Sequence, residues 1–130
     1  MGKIKTKPES FFGTIVSIGT MSHIKHLQIQ GASSGIKHLA LNDFYQEVPE
    51  IADRLIEVYQ GCEQKVVEYD LSSLIYGYKL TATEYLEGIK EMIYENRYDV
   101  IDAKYTHMHA ILDDLLEAID GTLYKLYLLQ

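Results

Sequence analysis

Four side chains in this sequence are of types that bind transition metals, and their spacing matters: His26, His38, Asp53 and Glu57. Imidazole nitrogen mixed with carboxylate oxygen is a ligand set suited to iron, zinc or manganese. Asp53 and Glu57 are four residues apart, so on a helix they stand one above the other. With His38 at the origin of a helical wheel, Asn42 falls near ~40°, Asp53 near ~60° and Glu57 near ~100°, a polar seam bordering an apolar face. His38 and Asp53 are fifteen residues apart. That is about 22 Å of continuous helix at ~1.5 Å per residue, whereas a ligand lies about 2 Å from its ion. The histidine pair and the acidic pair therefore cannot share an ion within one chain. Two copies packed with these helices antiparallel, histidine end against acid end, would form two equivalent sites per symmetric dimer. Read singly, Asp53 and Glu57 are solvated acids paired with neighbours such as Arg54, and His38 is an ordinary residue near a helix start. The joint spacing favours the metal reading.

The elements that must position these residues are helical. From Phe11 the pattern places Phe11, Phe12, Ile15, Val16 and Leu27 on one apolar arc, with His23 and His26 inside it. Gly31 to Gly35 reads as a short loop in which Ser33 or Ser34 caps a second helix. That helix is predicted from Gly35 to Gln60, stopped by Gly61, with Leu41, Phe44, Tyr45, Val48, Ile51, Ala52, Leu55 and Tyr59 on its core face and Pro49 inside it. The segment Cys62 to Leu80 lacks a clean period; Val66-Val67 looks extended and Leu71 to Tyr78 has room for a short helix. Thr81-x-x-Glu84 is a capping box that opens a third helix ending near Ile101. A fourth begins at Tyr105 or Thr106 and carries Met108, Ile111, Leu112, Leu115, Leu116, Ile119 and Leu123. The fold class is all-α: a four-helix bundle of ferritin-like connectivity with a long crossover between the second and third helices.

Composition bounds the rest. The chain has 130 residues, 47% of them apolar and 24% charged, which is one globular domain able to bury a core without disulfides. Residues 1–10, with Lys3, Lys5 and Lys7, read as a flexible basic arm, and 11–130 as a single bundle domain. Cys62 is alone, which fits a reducing compartment, and no apolar run or leader pattern points to a membrane. A net charge of -7 argues against nucleic-acid binding by the body of the molecule. The arm could contact phosphates, with weight only when many copies act together.

The run His26-Leu27-Gln28-Ile29-Gln30-Gly31-Ala32, followed by His38, Phe44, Asp53 and Glu57, resembles the ferroxidase motif of the Dps family, the DNA-binding proteins from starved cells or mini-ferritins. That family spaces its histidines by twelve, the next aspartate fifteen further on and a glutamate four beyond. All three intervals are reproduced here, and Gly31, Ala32 and Phe44 agree as well. The resemblance is specific over residues 26–61 and elsewhere extends only to a compatible helix pattern.

The resemblance implies four-helix subunits in a hollow cage, usually of twelve copies, with iron sites at the two-fold interface. His26 and His38 would be ligands from one chain, and Asp53 and Glu57 from its partner. The activity implied is ferroxidase oxidation of Fe(II) by peroxide or oxygen, with storage of the ferric product and protection against peroxide. Zinc or manganese could stand in iron's place. The setting implied is cytoplasmic, or phage-encoded and acting in the bacterial cytoplasm or the virion. Lysine-bearing tails in some members would correspond to Lys3, Lys5 and Lys7 as a nucleic-acid contact.

Two departures bear on the site. The family usually has an aspartate where this chain has Asn42, a weaker oxygen ligand, and the adjacent Asp43 is turned about 100° away. A tryptophan often follows the first histidine; here it is Leu27, and the chain has no Trp but eleven Tyr. His23 reads as an interface or supporting histidine, and His107 and His109 as decoration at the start of the fourth helix. Asp113, Asp114, Glu117 and Asp120 read as a solvated acidic face or a pore lining. The alternative to the ferroxidase is a non-catalytic Dps-like assembly or nucleic-acid-associated structural protein with a degenerate metal site.

Overall fold

Apolar residues at three- and four-residue intervals resolve into five helices in the computed structural model, which describes residues 6–31 and 34–129. They are α1 (Pro8–Leu27), α2 (Ser34–Glu63), α3 (Ser73–Tyr78), α4 (Ala82–Val100) and α5 (Thr106–Leu128). No strand occurs among the described residues. α1 packs against α2, α3 and α4; α2 and α4 each pack against α5. The four long helices thus close a ring of contacts around one hydrophobic core, with α3 inside the link between α2 and α4.

α1 is enclosed on most of its circumference, because three helices lie against it. It buries Phe11, Phe12, Ile15, Ile18 and Met21 together with Gly13, Ser17, Ser22, Lys25 and His26. Each large apolar side chain so buried stabilises by roughly 1.5–3 kcal/mol. The Phe12 ring packs 4.6 Å from that of Tyr59 on α2, tying the start of α1 to the end of α2. Ser17 Oγ donates to the Gly13 carbonyl at 2.6 Å, so this buried hydroxyl is satisfied within its own helix. Leu27, expected on the apolar arc, is instead 69% exposed, because α1 ends there.

Two predicted boundaries move. The arm does not extend to residue 10: Pro8, at the first helical position where its missing N–H costs nothing, starts α1, and the Lys7 carbonyl accepts from the Ser10 and Phe11 N–H groups. Thr6 Oγ1 donates to Asn96 Oδ1 on α4. Lys3 and Lys5 lie outside the described residues, as does Ser33; Lys7 is exposed. At the other end, Gly61 does not stop α2. The helix runs to Glu63, and Gln64 takes the left-handed turn with φ 56°. The Lys65 N–H then donates back to the Gln60 carbonyl at 3.3 Å, a Schellman closure. The extra turn pays off locally, since Gln60 Oε1 accepts the Val67 N–H at 2.9 Å and seats Val67 in the core.

The link through residues 64–81 is strapped across α1. The Asp70 N–H donates to the Glu9 carbonyl at 3.0 Å, and Asp70 Oδ1 accepts from the Ser72 N–H at 3.0 Å. The strap passes so close to Gly13 that a β-carbon there would lie 1.9 Å from the Asp70 carbonyl oxygen. α4 then opens with the capping box expected from sequence: Thr81 Oγ1 accepts the Glu84 N–H at 3.1 Å, and Glu84 accepts the Thr81 N–H at 2.9 Å.

These contacts give two expected outcomes. Gly13→Ala should lower stability by about 1–3 kcal/mol in denaturant unfolding, because backbone rather than a flexible side chain must yield. Gly61→Ala, at a mid-helix position with open space around it, should raise stability by about 0.5–1 kcal/mol. A loss of stability at Gly61→Ala would restore glycine as the helix stop.

Acid should loosen the strap and the cap. Bonds from Thr81 hold the Glu84 carboxyl below its ordinary 4.5, and bonds from Ser72 hold that of Asp70 below 3.8. A lowered folded pKa means stability present above the ordinary value and lost as pH falls through the folded one. The melting temperature should therefore decline on acidification below about pH 4.5. Glu84→Gln with Asp70→Asn, which keeps acceptors but not charge, should flatten that decline; an unchanged slope would remove these two groups as its source.

Candidate functional site

The candidate residues sit where α1 ends and α2 begins. His23 and His26 are three apart on α1 and so share a face; His38 lies early in α2. Gly31, at φ +91°, turns the chain between the two helices in a conformation that other residues rarely adopt. The His38 ring comes to 3.8 Å, centre to centre, from that of His26, with 31° between their planes.

His26 is buried, and its Nδ1 lies 3.0 Å from the His38 carbonyl oxygen. A carbonyl only accepts, so Nδ1 carries the proton and Nε2 keeps a free lone pair. That is the state in which an imidazole is oriented to bind a cation, one nitrogen anchored and the other available. His23 and Tyr45 extend the cluster: their rings stack at 4.2 Å and 14°. The Tyr45 ring is 5.2 Å from His26, and His23 is 6.1 Å from His26.

From this cluster a groove of about 310 Å³ runs between α1 and α2, lined by Gly19, Thr20, His23, Tyr45, Pro49 and Asp53 among others. Gly19 lets Pro49 approach, since a β-carbon there would stand 3.2 Å from Pro49 Cγ. Asp53 lines the groove about two turns past Tyr45, and Glu57 stands exposed one turn further. Neither carboxylate has a hydrogen bond or ion pair among the described residues. Arg54 does not neutralise them; its guanidinium reaches Asp114 on α5 at 2.6 Å.

The structure therefore joins His26 to His38 and leaves Asp53 on the groove and Glu57 exposed on α2 beyond it. Among the described residues no three His, Cys, Asp or Glu side chains gather closely enough to hold a metal ion. Asn42 is engaged within its own helix, Gln46 Nε2 donating to Asn42 Oδ1 at 3.1 Å. Asp43 faces Lys125 of α5 at 4.0 Å.

His109 is not decoration. It is buried, its Nε2 is 3.0 Å from the Ile101 carbonyl, and its Nδ1 accepts from Arg97 Nε at 3.1 Å. Buried Arg97 also donates to the His109 carbonyl and to Asp113 Oδ1, both at 2.9 Å, so the three residues clamp α4 to α5. The acidic face of α5 is partly neutralised in the same way: Asp113 by Arg97, Asp114 by Arg54, and Asp120 by Lys90 at 2.7 Å.

Lys25, next to His26, was missed by sequence reasoning. It is 5% exposed, and its ammonium donates to the Tyr78 carbonyl at 2.9 Å and to that of Leu80, fixing the end of α3. Burial pushes its pKa below the ordinary 10.5, and nearby Glu84 partly opposes the shift. The available signal was its position, four after Met21 and seven after Ile18 on a buried face.

A family described as a family of unknown function (DUF5856) matches residues 26–126. No curated protein and no solved structure matches the chain.

The two kinds of histidine should separate in stability measurements. His109→Ala strands the Ile101 carbonyl and Arg97 Nε, and should cost about 2–4 kcal/mol in denaturant unfolding. His23→Ala and His38→Ala, at exposed side chains, should stay within about 1 kcal/mol of wild type. Equal losses at all three would make the α1–α2 histidines structural.

Proposed function

The chain belongs to the family DUF5856, whose matched segment opens at His26 and spans His38, Asp53 and Glu57, and from that premise we propose an iron-binding, mini-ferritin-like subunit that oxidises Fe(II) between two copies of the chain. The observation that carries the reading is His26: buried, anchored through Nδ1, with its ring beside Tyr45, which lines a groove that Asp53 also lines. Iron is the substrate. His26 and His38 of one copy supply nitrogen, and Asp53 and Glu57 of a second copy supply oxygen and offset the charge of the ferric product. Each Fe(II) gives up one electron; a peroxide takes two, accepts two protons and leaves as water. The ring of four long helices with its long link from α2 to α4 fits ferritin-like connectivity. A cage of such subunits, cytoplasmic or carried by a phage, would store the product.

One observation favours the second reading, a non-catalytic assembly with a degenerate site. Asn42 is a neutral amide already occupied by Gln46, so one of two adjacent iron positions lacks its carboxylate.

Iron oxidation by peroxide, followed by absorbance of the ferric product, decides between them. The wild-type chain should exceed buffer, His38→Ala and Glu57→Ala should lose on the order of tenfold or more, and Asn42→Asp should gain. A wild-type rate equal to buffer would sink the enzyme reading. Complementation tests the shared site. A chain lacking His26 and His38, refolded with one lacking Asp53 and Glu57, should regain one working site per mixed dimer. No recovery would overturn the intersubunit arrangement.

A further inference from the structure

We propose that the outer side of the link between α2 and α4 is an interface for a second copy of this chain, laid antiparallel on it about a two-fold axis. The link runs lengthwise along α1. Near its start the Asp70 N–H is bonded to the Glu9 carbonyl, and at its end the Tyr78 and Leu80 carbonyls are bonded to Lys25. Those anchors are sixteen residues apart on α1, or about 24 Å of helix.

One side of the link faces the core. Val67 is buried, Leu74 packs on the core, and a β-carbon at Gly77 would stand 2.8 Å from the Tyr85 ring. The other side is apolar and uncovered: Tyr69 is 41% exposed, Leu71 47%, Ile75 66%, Tyr76 72%, Tyr78 57% and Leu80 39%. On α3 the exposed three fall within one arc of about 160°, opposite Gly77. The six side chains together offer on the order of 600 Å², most of the roughly 800 Å² that each partner gives to a stable interface. Three of them are tyrosines, which cover area with few rotamers to freeze and are enriched where proteins meet.

Charge selects the occupant. Glu68 and Asp70 outweigh Lys65 at the start of the link, and Lys79 stands at its end, all of them exposed. A copy reversed end for end sets Lys79 of each chain against the acids of the other while the apolar middles meet. A parallel copy would set like charge against like. A strip that is its own complement after a two-fold rotation fits a second copy of the same chain. The interface does not rest on the iron reading, since no link residue belongs to the histidine–carboxylate set.

The test measures self-association of the full-length chain by sedimentation equilibrium in iron-free buffer. The expected result is a dimer or a multiple of one. Tyr76→Glu, at an exposed position, should weaken association at least ~10-fold with an unchanged circular dichroism spectrum. Glu68→Lys and Lys79→Glu should each weaken it about threefold or more, and the two together should restore it, because the double variant is again self-complementary. That charge swap, at two exposed rim positions, keeps the test decisive should Tyr76→Glu alter the fold. A wild-type monomer at every concentration overturns the proposal and hands the strip to a partner of other chemistry. An assembly that Tyr76→Glu leaves at wild-type strength overturns it too, because the copies then meet elsewhere, as does a double variant weaker than both singles. If the variants behave as expected while no chain oxidises iron, the interface stands and the iron reading falls.

Discussion

The enclosure of α1 is the constraint on which the rest of the structure depends. A helix covered by α2, α3 and α4 must find partners for any charge it buries and must give way where a neighbour's backbone crosses it. Gly13 meets the second demand, admitting the Asp70 strap. Lys25 meets the first by spending its buried charge on the Tyr78 and Leu80 carbonyls that end α3. With those sides closed, the strip of α1 left open is the one facing Pro49 and Tyr45, through Gly19, Thr20 and His23. The groove is therefore a remainder of packing on the one side of α1 that no other helix closes.

Two buried histidines show how local chemistry divides structural from functional use. Both His26 and His109 lie against a backbone carbonyl. On His109 the other nitrogen is taken by Arg97, which closes the ring into a clamp between α4 and α5. On His26 the other nitrogen is uncommitted and the neighbours are aromatic rings, His38 and Tyr45. A guanidinium in one place and a groove in the other separates a residue that holds helices from one that can hold an ion.

Legibility in the sequence followed the range of the interaction. The capping box at Thr81 and Glu84 is complete within four residues and was readable outright. The core face of α2 came from periodicity, and all of it is buried except half-buried Tyr45. Gly61 misled because a glycine is the usual helix stop, while the actual stop at Gln64 depends on Gln60 capturing Val67 beyond the helix. The partners of Lys25 and Arg97 were unreadable for a related reason: they are carbonyls and side chains supplied by other elements, to which no local pattern points, although the position of Lys25 on a buried face was visible. In the candidate site, the twelve-residue interval did bring His26 to His38. The approach of His23 depended on Tyr45, a position that periodicity assigned to the core.

The charge of the chain takes its meaning from the same distinction. Asp113, Asp114 and Asp120 on α5 each face a cation from α2 or α4, so these acids serve helix packing and contribute little free potential. Asp53 and Glu57 lie on α2 with no such partner among the described residues. A helix-surface carboxylate left unpaired beside a groove remains free to meet a cation from outside. Placed about four and five turns along α2 from His38, these two cannot close on the ion that His26 would hold unless another copy of the chain is laid against the first. The geometry that withholds a complete site from one chain is thus the same geometry that would make two copies of it functional together.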